Sequence, residues 1–497
     1  MLMRFRLGQF HPDRQIMPGL HSSKVQNRPH FDDMSRPKRG GRRKNEGVIG
    51  FAERDRRNPC YLLGLAVYAV VFFTFTTVSY ANKMNSKDLA KKAEGRYFTG
   101  LPLMNYTSDT GLGYGVRVYL YDNGERSEPH FDSTPYLVRT YVQFFQTTNG
   151  QAYHDLNLDI PYFLQTRWRL KSETVYKYAL NANYFGIGAR TADAGLIDSS
   201  GVRYSTHEDY RSFLDSGTDD ASLVKYNKYQ YRMLSTRWIG SREVTDWFEF
   251  IIGFDVGKVE IEDWAGKSID EGDLQATSAE TLLTRDADTL RGITGGWTNL
   301  AILGLRLDWL DFEPNPKLGL LGEYLLELST TLIGSDFDYA RQTFSVRGFY
   351  TLWDRLTVGA RTAMTYSSEG TPFFEMAAMT FFSGRASALG GVRTGRGLIS
   401  SRHIAQGITL GQMELRYFVG DVVIGGQRLG LQPTAFVDTG NVYDSFGDIF
   451  TKPRYGQYKV SYGGGVVIPW NLSTLIHVFM GYNAEGANLS INFNNAF

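Results

Sequence analysis

Leu489-Ser490-Ile491-Asn492-Phe493-Asn494-Asn495-Ala496-Phe497 ends the chain, and its alternation decides the fold. Leu489, Ile491, Phe493 and Phe497 point one way while Ser490, Asn492 and Asn494 point the other, the period of two of a strand with one face on lipid. A last strand of this kind, ending on an aromatic residue, predicts a closed transmembrane β-barrel.

The same pattern recurs upstream. Leu112, Tyr114, Val116, Val118 and Leu120 alternate with Gly113, Gly115, Arg117 and Tyr119; Leu156, Leu158 and Ile160 alternate with Asp155, Asn157 and Asp159. Trp168 and Leu170 oppose Arg167, Arg169, Lys171 and Glu173, and Leu303, Leu305, Leu307 and Trp309 oppose Gly304, Arg306 and Asp308. Charges on one strand face are tolerated only where that face is wet, so these faces are expected to line a lumen. Such segments number about 16 from Arg96 to Phe497, the even count of single-chain bacterial barrels. Short connections such as Pro161 to Thr166 and Asp311 to Lys317 should be periplasmic turns. Long ones such as Thr191 to Ala221, Glu260 to Gly295 and Ser367 to Gly407 should be extracellular loops.

Composition agrees with an all-β membrane protein. Aromatic residues make up 14% and charged residues 21%, and only Tyr61 to Val78 forms a run apolar enough for a membrane helix. That run follows Arg54, Arg56 and Arg57 and precedes Ser79-Tyr80-Ala81, the small-x-small site of an export signal, so cleavage is expected after Ala81. An uncleaved helix anchor is the other reading of this run. Residues 1–58 read as a basic leader, disordered or arising from a misassigned start; residues 59–81 as the signal's hydrophobic region; residues 82–95 as a short periplasmic lead; residues 96–497 as the barrel.

Residues 1–58 hold 14 Lys/Arg against 6 Asp/Glu and residues 59–81 hold none, so of the chain's net +1 the exported part carries −7. This balance argues against affinity for nucleic acid. Cys60, the single cysteine, would leave with the signal. A soluble β-sandwich or propeller would need neither the signal nor the aromatic terminus.

A second stretch carries more specific information. Leu389-Gly390-Gly391-Val392-Arg393-Thr394-Gly395-Arg396-Gly397 is followed by Met413-Glu414-Leu415-Arg416-Tyr417 and Ala435-Phe436-Val437-Asp438-Thr439-Gly440. This order of Leu-Gly-Gly, Arg-Gly, a Glu-Leu-Arg strand and a Phe-x-Asp-x-Gly strand resembles the bacterial surface-antigen barrels of the BamA/TamA superfamily, which includes the two-partner secretion transporters. The resemblance implies a long loop folded into the lumen with Arg396 and Gly397 at its tip. It also implies Glu414 and Asp438 as partners of that tip, and Phe493 and Phe497 as a C-terminal signal for the barrel assembly machinery. Strand parity independently turns Glu414, with Gln412 and Arg416, and Asp438, with Gln432 and Thr434, toward the lumen.

The tip departs from the family in having Gly395 before Arg396 and Leu398 after Gly397. A literal Val346-Arg347-Gly348-Phe349 also occurs, but inside an alternating strand with no Leu-Gly-Gly ahead of it. Arg393→Ala and Arg402→Ala are expected to cost less stability than Arg396→Ala.

Function divides into two readings. Family likeness implies a barrel that aids insertion or translocation of proteins at the outer membrane, opening between a first strand near Phe98 to Tyr106 and the last. Periplasmic polypeptide-transport-associated domains, which receive clients in assembly members, have no counterpart between Asn82 and Gly95, so a periplasmic partner would have to supply them. The alternative is a passive pore or surface antigen. No cofactor or metal is expected, because the eight His residues show no ligand spacing. An enzyme is not expected, since no Gly-x-Ser-x-Gly elbow is present and His477 lies on a strand face with Leu475 and Phe479.

Overall fold

The computed structural model describes residues 89–493 apart from 91, 108–109, 217–221, 272–273, 314, 426, 453–456 and 472–473. Ser79, Ala81, Cys60 and Phe497, with the readings that rest on them, lie outside the described residues, as does the side chain of Phe493.

Sixteen long antiparallel strands, each hydrogen-bonded to the next in sequence, form the barrel wall. They are β1 (Arg96–Thr107), β2 (Gly111–Asp122), β3 (Val138–Thr147), β4 (Gln151–Ile160), β5 (Trp168–Asn183), β6 (Lys228–Thr245), β7 (Phe248–Asp263) and β8 (Gly295–Asp308). The second half comprises β9 (Gly319–Ser329), β10 (Tyr339–Leu352), β11 (Leu356–Ser367), β12 (Gly407–Tyr417), β13 (Gln427–Tyr443), β14 (Lys459–Trp470), β15 (Thr474–Asn483) and β16 (Gly486–Phe493). The period-2 reading of the sequence places a strand at every one of these positions. A short strand, Gly420–Ile424, takes over from β12 in pairing with β13. Val346-Arg347-Gly348-Phe349 lies within β10, paired on both sides.

The usual distribution of polarity is inverted. Leu156 is 54% exposed and Leu305 43%, whereas Arg306, beside it in sequence, is 2% exposed. Apolar side chains outside and charges inside are stable only if the outer surface meets hydrocarbon and the inner charges find partners. Trp297 sits where β8 leaves the long-loop end, and Trp247 and Trp309, stacked 5.5 Å apart, mark the short-turn end. These are the positions of interfacial aromatic girdles. Among the described residues no helix is long and apolar enough to cross a membrane.

The three long connections, 184–227, 264–294 and 368–406, leave the same end of the barrel. Tyr184, Tyr229, Phe373 and Phe374 from these loops and adjoining strand ends pack edge to face, the closest ring centroids 5.5 Å apart, and cover that end. One connection departs from the short-turn expectation: 123–137, between β2 and β3, lies at the opposite end. It grips the lead, for Lys92 Nζ donates to the carbonyls of Phe131 at 2.6 Å and Thr134 at 2.9 Å. Burial pushes Lys92 down to about 8, with Asp132 and Glu128 opposing the shift.

Every wall strand is laddered to its neighbour except at one place. β1 and β16 run beside one another, but no backbone pairing joins them among the described residues. The wall therefore has a seam, and Pro102 lies in the strand at its edge.

Candidate functional site

The loop 368–406 folds back into the lumen, and all three guanidinium nitrogens of its tip are bonded to carboxylates. Arg396 is 1% exposed. Its Nε donates to Asp438 Oδ2 at 2.9 Å, its Nη2 to Asp438 Oδ1 at 2.7 Å, and its backbone N–H to Oδ2 at 2.8 Å. Nη1 donates to Glu414, which also accepts from Arg416 Nε. The guanidinium lies 3.9 Å from the ring centroid of Phe436, with Phe479 at 5.1 Å. Two carboxylates, a fork and an aromatic face fix one orientation, because a planar guanidinium can satisfy all of them only in one pose.

The local backbone explains how the tip reaches the wall. Gly397 has φ +99°, open to glycine, and its backbone packs directly on Gly481 of β15. A Cβ added at Gly481 would stand 2.6 Å from the Gly397 nitrogen. Asn483 donates to the Gly397 carbonyl. Gly481 and Asn483 were missed by sequence reasoning; a glycine facing the lumen on a late strand was the only available signal.

Arg402 corrects the sequence reading. Expected to matter less than Arg396, it is equally buried, and its Nε and Nη2 each donate to Glu485 at 2.7 Å. Its partner is in the β15–β16 turn, 83 residues away, beyond the reach of local pattern. Arg393 is half-buried and donates to Ser383 Oγ at 2.6 Å. His477 is fully buried on the lumenal face of β15, its ring 5.3 Å from that of Phe479.

Further ion pairs bind the loop to the wall. Glu375 accepts from Arg341 of β10 at 2.9 Å, and Arg385 bridges Glu375 at 3.1 Å and Asp255 of β7 at 3.4 Å. At the turn end Glu313 pairs with Arg169 at 2.7 Å. Burial alone would raise the Glu313 carboxyl, but Arg169 and Arg306 outweigh it and hold it well below the usual carboxylate range.

The loop does not fill the lumen. A cavity of about 480 Å³ lies between it and the inner faces of β1 to β5, and a second of about 470 Å³ lies toward the long-loop end. Tyr153, Glu173, Arg385 and Arg393 border both. The first cavity is lined by consecutive residues of β1, Leu103, Met104 and Asn105, together with Ile491 of β16. Leu103 is buried whereas Met104 is 60% exposed on the opposite strand face. The cavity is thus bounded by both strands of the seam. Among the described residues no group of three or more His, Cys, Asp or Glu side chains is placed to hold a metal ion.

Residues 145–475 match the model of the Omp85 superfamily domain, and residues 75–137 match a domain of unknown function, DUF5982. No curated protein matches the sequence. Among solved structures, BamA from Haemophilus ducreyi lacking POTRA domains 1–3 is similar at 12% identity and a TM-score of 0.42, over 87% of this chain and 77% of that one. CdiB from Escherichia coli is similar at 10% identity and a TM-score of 0.43, and CdiB from Acinetobacter baumannii at 11% and 0.40. Each CdiB match covers 80% of this chain, which spans about three-fifths of the CdiB chains, 61% and 59% respectively.

Proposed function

The chain belongs to the Omp85 superfamily, and from that premise we propose that this outer-membrane barrel aids insertion or translocation of proteins by parting β1 from β16. One observation carries the proposal: the cavity of about 480 Å³ is lined by residues of β1 and by Ile491 of β16, at the one junction of the wall that is unladdered among the described residues. An edge with free N–H and C=O groups can template an incoming strand, which a closed ladder cannot. A covalent lock across the seam should stop client assembly while leaving solute conductance unchanged; full activity of the locked barrel would overturn the reading.

No catalytic step belongs to this proposal, since templating needs only backbone hydrogen bonds and a dry edge. The partners we propose are the lipid bilayer, the barrel assembly machinery for its own insertion, and a periplasmic protein that supplies receiver domains. The passive-pore reading draws on a different observation, the two cavities that leave one side of the lumen unfilled. A locked barrel that still conducts and still complements a deletion would favour it.

We further propose that export removes the leader after Ala81, through the Ser79-x-Ala81 site. Mass spectrometry of the purified envelope protein should find Asn82 at the amino-terminus. An intact Met1 species in the inner membrane would defeat this.

A further inference from the structure

Lumenal arginines here are generally answered by carboxylates. Arg306 pairs with Glu249 at 2.9 Å and Asp308 at 2.7 Å, and Arg341 with Glu327 at 2.6 Å and Glu375 at 2.9 Å. Three are not. Arg347, Arg361 and Arg393 form no ion pair with any carboxylate among the described residues. Arg347 and Arg361 stand directly opposite one another on β10 and β11. Arg361 is 2% exposed, and its Nη2 donates to the Arg393 carbonyl at 3.2 Å. The guanidiniums of Arg361 and Arg393 share the ring of Phe381, at 4.5 Å and 5.7 Å. The Nε atoms of all three are buried without a hydrogen-bond acceptor.

Like charges opposed across a ladder destabilise it, and a guanidinium cannot relieve the cost by losing its proton. Buried charge without a counter-charge is expensive, most of all at the fully buried Arg361. Arg347 and Arg393 both face the cavity of about 480 Å³, whose wall holds seven Arg or Lys side chains against four carboxylates. The balance that the chain does not supply can come from a ligand.

We propose that Arg347 and Arg393, backed by Arg361, bind a phosphate group carried by a ligand in this cavity. Two forks converging from a strand and a loop suit the oxygens of a phosphate, each of which accepts paired N–H donors. On the seam side the same cavity is walled by Leu103, Leu475 and Ile491, so the remainder of the ligand is apolar there and the fitting source is a phospholipid head group. The cavity has the volume of a small-molecule site. This site is independent of strand templating and goes beyond it.

The test uses the exported chain purified in an uncharged detergent. Its unfolding midpoint is followed with inorganic phosphate, with phosphatidylglycerol-doped micelles, and with chloride at matched ionic strength. Phosphatidylglycerol should raise the midpoint by roughly 5 °C near saturation, and chloride should not. Arg393→Gln, on the loop, should abolish that rise and also raise the midpoint without ligand, because it removes an unpaired like charge. Arg347→Gln should behave the same way. A rise with the lipid alone identifies the head group as the source, and a rise with inorganic phosphate alone identifies free phosphate; both support the site. No rise in either, or an equal rise in Arg393→Gln, overturns it.

Discussion

Replacing Arg396 by alanine is expected to lower the barrel's stability by about 3–5 kcal/mol, the cost of leaving buried charge without its partner. Glu414 and Asp438 would face each other with Arg416 as the remaining cation in contact, on strands that cannot move apart because β12 and β13 are laddered from Gly407 to Arg416. The measurement is the temperature at which the folded, fast-migrating form converts to the unfolded one on gels. Arg396→Lys should recover little, since an ammonium cannot span both Asp438 oxygens and Glu414 at once. Gly481→Ala should unseat the same tip by steric means while keeping every charge, and so expose the loop to protease. Arg402→Ala should also be costly through Glu485, whereas Arg393→Ala should not lower stability. Equal, negligible changes at Arg396 and Arg393 would mean that the tip contributes nothing.

The second large effect is expected at the seam. Cysteine pairs drawn from the inward positions Leu101 and Leu103 of β1 and Asn488 and Ser490 of β16 should include one that oxidises, because the two strands lie side by side. Under the proposed cleavage after Ala81, Cys60 leaves with the leader and the exported chain has no competing thiol. Oxidation should abolish complementation of a deletion strain and reduction should restore it, with single-channel conductance the same in both states. Templating needs the free edge, and conduction needs only the lumen. Complementation by the fully oxidised barrel would leave the passive pore as the better reading, and removal of residues 368–406 should then raise conductance.

Much of the wall was legible because a barrel in lipid enforces period two at every strand. Leu303, Leu305 and Leu307 against Arg306 and Asp308 could be read by eye, and the inward facing of Glu414 and Asp438 follows from the same parity. What escaped was anything that depends on meeting across the lumen. Arg402 and Glu485 share no local pattern, and neither do Gly397 and Gly481. The connection 123–137 looked like any other loop until Lys92 was found in its grip. The opposed Arg347 and Arg361 were hidden for another reason: each is unremarkable on its own strand, and only register sets them face to face.

The distribution of the inner loop's anchors decides which half of the barrel can move. Its ties run to Asp255 on β7, Arg341 on β10, Glu414 and Asp438 on β12 and β13, and Asn483 on β15. Toward β5 it offers the ring of Phe382, 4.1 Å from Lys171 Nζ, with a cavity of about 480 Å³ between the loop and the first five strands. When the junction of β1 and β16 parts, the amino-terminal strands are therefore the door and the carboxy-terminal strands, with the loop bolted to them, are the frame. The cork stays with the frame, so the proposed sideways opening would leave the loop tip seated against Glu414, Asp438 and Asn483.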